Sequence, residues 1–513
     1  MRSRWQGLIL AVLSGLLGLA VFPSVSLGWL AWISLAPLLA AVSRSRTSRE
    51  SFVLGGVAGL IQWAGLLAWI PRVLMLYGGV PAYLAWMLEL LLAAVLALYP
   101  AVACAVTRLC LDAGGRRLLL AFPFVWVALE WLRTYILLGG FPWLLLGYSQ
   151  TEWFTLVQIA DLTGVFGVSF LVAWVNAAAA WSWIHRSRGV RSLGPAAAAV
   201  LMVALALAYG QVMRARWSGT ETPYRVAMLQ GNLGFEDPYP ALAWKFQEGY
   251  ARMLEALGAQ PIDLLLLPEA PAARSFQDDA EHRNAMARLA SRAARGMVLN
   301  NVHRDGAGRA AAYYNSAYVL SPSGTEVGRY DKIHLVPFGE YVPWRDLFSF
   351  AEPITKDVGA FSAGSEFRTF DLQDGPVSVM ICFEAVFPYI SREFVRQGSR
   401  LLVNLTNDGW YGNSAAPYQH LQMARWRAIE NRRFLLRATN SGISAIVDPT
   451  GRIQASSGLL RSEVCLGRFG YVQARTFYSL HGDVFALLCA MITAACLAAA
   501  AGRAWRLRHR SSI

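Results

Sequence analysis

Seven apolar stretches crowd the first 213 residues, near 7–22, 26–42, 52–70, 82–106, 118–137, 163–184 and 195–213, and an eighth runs from about 482 to 502. All reach the length needed to cross a bilayer, the first only marginally. Inside hydrocarbon every backbone polar group needs an internal partner, so segments of this kind can only be helices. That rules out an ordinary soluble globule, as do the 55% hydrophobic content over 513 residues and a mean hydropathy of +0.37. Arg2 and Arg4 before the first stretch give it the outline of a signal peptide. No small-residue cleavage site follows, and it is read as a retained span.

The net charge of +13 would suit a nucleic-acid binder, but its distribution does not. The basic residues form short clusters between apolar stretches, with neither a basic stripe nor a reader module. Arg2 and Arg4 precede the first span, and Arg44, Arg46 and Arg49 follow the second. Arg108, Arg116 and Arg117 lie between the fourth and fifth, and Arg186, Arg188 and Arg191 between the sixth and seventh. Arg503, Arg506, Arg508 and Arg510 follow the eighth, and Arg72 is the main exception in the alternate loops. Positive residues stay on the cytoplasmic side. The ladder therefore predicts cytoplasmic termini and an outward-facing segment 215–480, periplasmic in a bacterium. The expected domains are a seven-span unit 1–214, a periplasmic unit 215–480, and a last helix with its cytoplasmic tail over 481–513.

The long segment has a different pattern. Strand-like runs recur at Val226–Gln230, Asp263–Pro268, Met297–Val302, Tyr313–Leu320, Val377–Phe383, Leu401–Leu405 and Ser444–Val447. Amphipathic stretches such as Trp244–Leu257, Ala280–Arg295 and Tyr418–Phe434 lie between them. This alternation predicts an α/β domain of layered sheets flanked by helices.

Of six cysteines, Cys104, Cys110, Cys489 and Cys496 sit in or beside apolar segments and behave as small hydrophobes, while Cys465 lies in a strand-like run. Neither they nor the seven histidines show metal-ligand spacing. Cys382 differs, ending the apolar strand of Val-Met-Ile-Cys-Phe-Glu (Val379–Glu384). Two further motifs precede it: Leu-Pro-Glu-Ala (Leu267–Ala270), a leucine strand ending in Glu269, and Arg-Tyr-Asp-Lys-Ile-His-Leu-Val-Pro-Phe-Gly-Glu (Arg329–Glu340). Strand ends are where α/β scaffolds place reactive side chains. Lys332 carries extra weight, because Lys245, Lys332 and Lys356 are the only lysines among 46 basic residues. A lysine kept in so arginine-rich a chain points to a need for a compact ammonium. Taken singly, each of these residues has a bland reading as a loop carboxylate, a packed thiol or a surface lysine.

In this order, the three motifs resemble the Glu–Lys–Cys signature of the nitrilase superfamily. The runs Asn404-Leu-Thr-Asn-Asp-Gly-Trp-Tyr-Gly, Gln419–Asn431, Arg437-Ala-Thr-Asn-Ser-Gly, Asp448-Pro-Thr-Gly and Gly140–Gln150 narrow the likeness to the apolipoprotein N-acyltransferase family, along nearly the whole chain. That resemblance implies an αββα sandwich on an eight-helix transmembrane bundle in the bacterial inner membrane. It implies Glu269 as general base, Lys332 as catalytic lysine and Cys382 as nucleophile, with Glu340 and Glu384 in support. The implied partners are a phospholipid acyl donor and a diacylglyceryl apolipoprotein acceptor, in a ping-pong reaction without metal or cofactor. A monomer is the default expectation.

Two departures stand out: Phe383 replaces the family's usual tyrosine after the nucleophile, and only Tyr239 and Trp244 lie near the tryptophan expected after Gln230-Gly-Asn232. Trp244, Trp344 and Gly147 are the substrate-binding candidates, the last for the acyl-chain entrance. The aromatic segment Tyr341–Ile354, with Trp344, Phe348 and Phe350, reads as a lid or as ordinary core. The competing functions are a membrane-anchored amidase using water as acceptor, and a transporter or scaffold with an outer binding module.

Overall fold

The computed structural model describes residues 2–510 apart from 137–138, 235–244, 270–273, 309–310 and 344–360. It divides into two compact units, one of residues 1–75, 80–212 and 481–513, the other of residues 76–79 and 213–480.

The first unit is helical. Among the described residues four helices are long and apolar enough to cross a membrane: Ala82–Ala113, Val165–Ile184, Gly194–Trp217 and Val484–Arg503. Ser48–Leu66 and Ile70–Gly78, bent by 49°, add a fifth if they form one span. Arg4–Ala20 and Gly28–Arg44 are apolar but shorter, and Phe122–Tyr135 has 14 residues. Each of the eight apolar stretches is thus helical, while length and composition identify four or five spans. The second stretch runs as Gly28–Leu30, Ala31–Ser34 and Ala36–Arg44, with a change of hydrogen bonding at Leu35. Buried Asn176 makes that change tolerable: its Oδ1 accepts from the Leu35 and Ala36 amides at 2.8 and 2.9 Å, and its Nδ2 donates to Ala31 O. Glu130 and Arg133, both almost fully buried, do similar work. Glu130 Oε1 accepts from the Leu146 amide at 2.7 Å, and Arg133 Nη1 donates to Trp143 O at 2.8 Å. The pair pins the Gly140–Gln150 motif to the helix Phe122–Tyr135.

In the second unit, twelve strands among the described residues form two six-stranded sheets. The first has the order β12 (Glu463–Phe469), β1 (Tyr224–Gln230), β2 (Leu264–Leu266), β3 (Met297–Asp305), β4 (Ala312–Leu320), β5 (Glu326–Asp331). The second has the order β11 (Ile453–Ser456), β10 (Ala445–Val447), β9 (Leu435–Thr439), β8 (Leu401–Thr406), β7 (Pro376–Ile381), β6 (Phe370–Asp371). β1–β2–β3 and β7–β8–β9 are parallel, and the outer pairings are antiparallel. The sheets meet face to face, β1 against β9 and β4 against β7.

Outside the first sheet, Leu265 and Leu267 pack with Met286 and Leu289 of helix Ala280–Ala290 and Leu254 of Tyr250–Ala256. Each such leucine contributes about 1.5–3 kcal/mol on burial. Helices Pro388–Arg396 and Ala416–Asn431 pack against one another elsewhere in the unit. Central strands β8 and β9 are buried throughout, as expected of parallel strands covered on both faces. The two layered sheets match the expected α/β sandwich. The consequence for chemistry is local: the chain leaves β2, β5, β7 and β8 carrying Glu269, Lys332, Cys382 and Asn407 within three residues of each strand end.

Candidate active site

Cys382 is the first residue after β7 and opens the short helix Cys382–Val386. Its φ of +52° places a non-glycine residue in the left-handed region, which costs about 1–2 kcal/mol. The turn is held by Glu384, whose Oε2 accepts from the Ile381 amide at 2.7 Å and whose Oε1 accepts from Tyr330 Oη, Ile333 N and His334 N at 2.7, 2.8 and 3.1 Å. Glu384 is fully buried and clamps the Cys382 turn to the chain on either side of Lys332. With four donors it is a tie between loops, placed to hold geometry rather than to move a proton.

Lys332 is 1% exposed, and its Nζ donates to Glu340 Oε1 at 2.9 Å. Burial works against its ammonium, but the facing Glu340, Cys382 and Glu269 more than offset that and hold its pKa above the ordinary lysine value. Glu340 Oε2 accepts from the Val336 amide at 2.8 Å, so the carboxylate is fixed by its own loop. Glu269 hydrogen-bonds the Cys382 thiol, while its Oε2 accepts from the Asn407 amide at 3.0 Å. Burial pushes the Glu269 carboxyl above its usual range; Lys332 draws it back down and Glu340 adds to the rise. The thiol of Cys382 is likewise pushed up, by burial first and by the Glu269 carboxylate second, against the pull of Lys332. The resting site therefore holds a neutral thiol beside a carboxylate of raised basicity and a lysine locked in its charged form. That is the arrangement of a nucleophile awaiting a base, with a cation beside the sulfur.

Sequence reasoning missed Asn315. Its Nδ2 donates to Glu269 Oε1 and to Glu340 Oε1, both at 2.9 Å. Its Oδ1 accepts from Asn300 Nδ2 at 2.7 Å, which fixes the amide orientation. One side chain thus uses both its protons to space two carboxylates around Lys332. The signal was faint, a polar pair Asn315-Ser316 inside an otherwise aromatic and aliphatic strand.

Phe383 is buried, with its ring 5.1 Å from Phe387 and 6.1 Å from the imidazole of His334. Burial and the Lys332 charge push His334 down to about 4, so this imidazole is neutral and packs as an aromatic. Gly147 lies in the other unit. It is buried, and a Cβ there would stand 2.6 Å from Val165 O, so close helix packing already accounts for the glycine. Trp244, Tyr239, Trp344, Phe348 and Phe350 fall outside the described residues, as does most of the lid segment proposed from sequence. The structure thus brings Glu269, Lys332, Cys382, Glu340 and Glu384 into one network within the second unit.

Comparison with known proteins finds relatives for both parts of the chain. The Apolipoprotein N-acyltransferase N-terminal domain family matches residues 14–178, and the Carbon-nitrogen hydrolase family matches residues 225–474. A Geobacter metallireducens protein named apolipoprotein N-acyltransferase is 40% identical over 98% of this chain and 96% of its own. A Methylococcus capsulatus protein of the same name is 35% identical over 96% of each. Among solved structures, a Saccharomyces cerevisiae member of branch 10 of the nitrilase superfamily aligns with 52% of this chain and 95% of its own, at 19% identity and a TM-score of 0.38.

Proposed function

The chain belongs to the apolipoprotein N-acyltransferase family, and from that premise we propose how its residues carry out acyl transfer. The donor is a phospholipid, and the acceptor is the α-amino group of an apolipoprotein's N-terminal diacylglyceryl-cysteine. Glu269 takes the thiol proton, and the Cys382 sulfur attacks the ester carbonyl of the phospholipid. Lys332 and a backbone amide beside Cys382 stabilise the oxyanion, each such donor being worth about 2.7–4 kcal/mol. Collapse breaks the ester C–O bond, Glu269 passes its proton to the leaving glycerol oxygen, and a lysophospholipid departs with an acyl thioester left on Cys382. The acceptor amine then attacks that thioester, again with Glu269 handling the proton. Glu340 keeps Lys332 charged and aimed; Glu384 holds the two loops in register.

A single observation carries this reading: the Glu269 carboxylate, the Lys332 ammonium and the Cys382 thiol meet in one buried network. Hydrolysis of a small amide would use the same three groups. Transfer is favoured by the match of the helical region to the N-acyltransferase domain and by relatives of that name over nearly the full chain.

The setting we propose is the bacterial inner membrane, with eight helices forming the membrane part, the second unit in the periplasm and both termini in the cytoplasm. The arginine ladder supports that orientation. The test is to incubate the full-length protein with phospholipid carrying a labelled acyl chain and trap the adduct. A hydroxylamine-sensitive thioester on the wild type and its absence from Cys382→Ala is the expected result. Discharge of the thioester to water, with no N-acyl product on a diacylglyceryl-cysteinyl peptide, would make the chain an amidase-type hydrolase instead.

A further inference from the structure

Cys382 has a neighbour that the scheme above does not use. β7 and β8 run parallel with Ile381 opposite Leu405, so the next residues, Cys382 and Thr406, stand side by side at the strand ends. The Thr406 hydroxyl adjoins the Cys382 side chain, where it can donate to the sulfur once that is a thiolate. It also reaches Asp408 Oδ1 at 3.4 Å. Asp408 is itself immobilised, with Oδ1 2.9 Å from His420 Nδ1 and Oδ2 accepting from Arg437 Nη2 at 2.8 Å. Thr406, Asp408, His420 and Arg437 are all fully buried. So many charged groups sealed behind one thiol are costly to desolvate, and each is paired rather than left bare.

We propose that Thr406 is a further catalytic residue, whose hydroxyl proton switches between Asp408 and the Cys382 sulfur, with Asp408 as the positioning residue that holds it. This rests on Cys382 being the nucleophile. In the resting enzyme the thiol donates to Glu269 and the Thr406 hydroxyl donates to Asp408 Oδ1. When the thiol proton moves to Glu269, the sulfur becomes an acceptor and the Thr406 O–H turns to it. Formation of the S–C bond consumes that electron pair, and the hydroxyl returns to Asp408. In the second step the amine N–C bond forms, the S–C bond breaks, and the departing sulfur regains its pair. It is held by the Thr406 O–H until Glu269 returns a proton taken from the amine. Lys332 acts at the carbonyl oxygen; Thr406 acts at the sulfur, and in both half-reactions.

The test removes only the hydroxyl. Thr406→Val keeps the shape, Thr406→Ala is a second hydroxyl-free variant in case the first fails to fold, and Thr406→Ser restores the donor. Two readouts are taken on the full-length protein in detergent: the pH dependence of Cys382 alkylation by iodoacetamide, and the separate rates of thioester formation and discharge. The sulfur is faced by Glu269, Lys332, Asp408, His420 and Tyr411, and all are unchanged in these variants. A hydrogen bond to a charged acceptor predicts a 10- to 100-fold loss in both half-reactions and alkylation that requires a higher pH, with Thr406→Ser close to wild type. A folded Thr406→Val or Thr406→Ala protein that alkylates along the wild-type pH curve overturns the proposal. So does a loss confined to one half-reaction. If the wild type forms no thioester at all, the acyl-transfer reading fails, and the alkylation curves still decide the role of Thr406.

Discussion

Asn315→Leu is the sharpest probe of how the carboxylates are tuned. The substitution keeps the side chain's size and removes the two N–H donors that reach Glu269 Oε1 and Glu340 Oε1 at 2.9 Å each. A hydrogen bond to a charged group is worth about 1.5–3 kcal/mol, and one pKa unit corresponds to about 1.36 kcal/mol. Losing the bond to ionised Glu269 should therefore raise its pKa by about 1–2 units, on top of the rise that burial already causes. The sign follows from the role. Glu269 must be ionised to take the thiol proton, so activity falls as pH drops through its pKa, and a higher pKa moves that loss to higher pH. The assay is the single-turnover rate of thioester formation between pH 5 and 9. The acid limb should move up by about 1–2 units, with the rate recovering toward wild type above it. Asn315→Asp, which adds a third carboxyl to the cluster, should move the limb the same way. A rate reduced equally at every pH would refute this account and leave Asn315 as a packing residue.

Four further outcomes follow from the same geometry. Lys332→Arg keeps the charge but forces a planar fork into a site where the side chain is 1% exposed, so thioester formation should fall by about 100-fold or more in a labelled-phospholipid burst assay. Glu384→Gln removes the charge that binds Ile381, Ile333, His334 and Tyr330 together; thermal unfolding in detergent should show a loss of about 1.5–3 kcal/mol alongside the loss of thioester. Phe383→Tyr places a hydroxyl on a ring packed between His334 and Phe387, and should leave the alkylation rate of Cys382 within about 3-fold of wild type, because the ring contacts persist. Gly147→Ala drives a methyl to 2.6 Å from Val165 O, and should lower the unfolding midpoint by the equivalent of about 1–3 kcal/mol while Cys382 alkylation stays unchanged.

What could be read from the chain and what could not divide along a physical line. Residues whose meaning lies in their own segment were readable. Leu264–Leu267 is buried, with Leu264–Leu266 as β2, because it is a leucine run, and Glu269 stands out only for following it. Lys332 was conspicuous because the chain otherwise uses arginine. Residues whose meaning arises from pairing were not readable. β5 is short, polar and at a sheet edge, so Glu326–Asp331 carries no apolar alternation, although it delivers Lys332. Strand β9 was hidden behind helix Ala416–Asn431, because the helix ends on Arg432 with φ +51°, and a non-glycine residue in that conformation gives no warning. Asn176 belongs with these: its side chain satisfies the amides of Leu35 and Ala36, 141 and 140 residues distant in sequence, and nothing around it announces that pairing.

The site shows the same rule at its centre. Glu269, Lys332 and Cys382 do the bond-making in the proposed scheme; Glu269 and Cys382 are flagged by the apolar strands they follow, and Lys332 by its rarity. In that scheme Asn315 sets the basicity of the first and Thr406 the electron pair of the last; Asn315 lies inside β4 and Thr406 ends β8, at positions where any small polar residue would look alike. Their roles exist only because β4 lies over β7 and β8 lies beside it. Chemistry at this cysteine is therefore tuned from two neighbouring strands, one acting through the base and one through the sulfur. A double variant removing both Asn315 and Thr406 donors tests that separation: independent effects should multiply, because one changes Glu269 and the other the thiolate. A combined loss no greater than the larger single loss would mean that both act on one proton, and that the switch at Thr406 and the spacing by Asn315 are a single device.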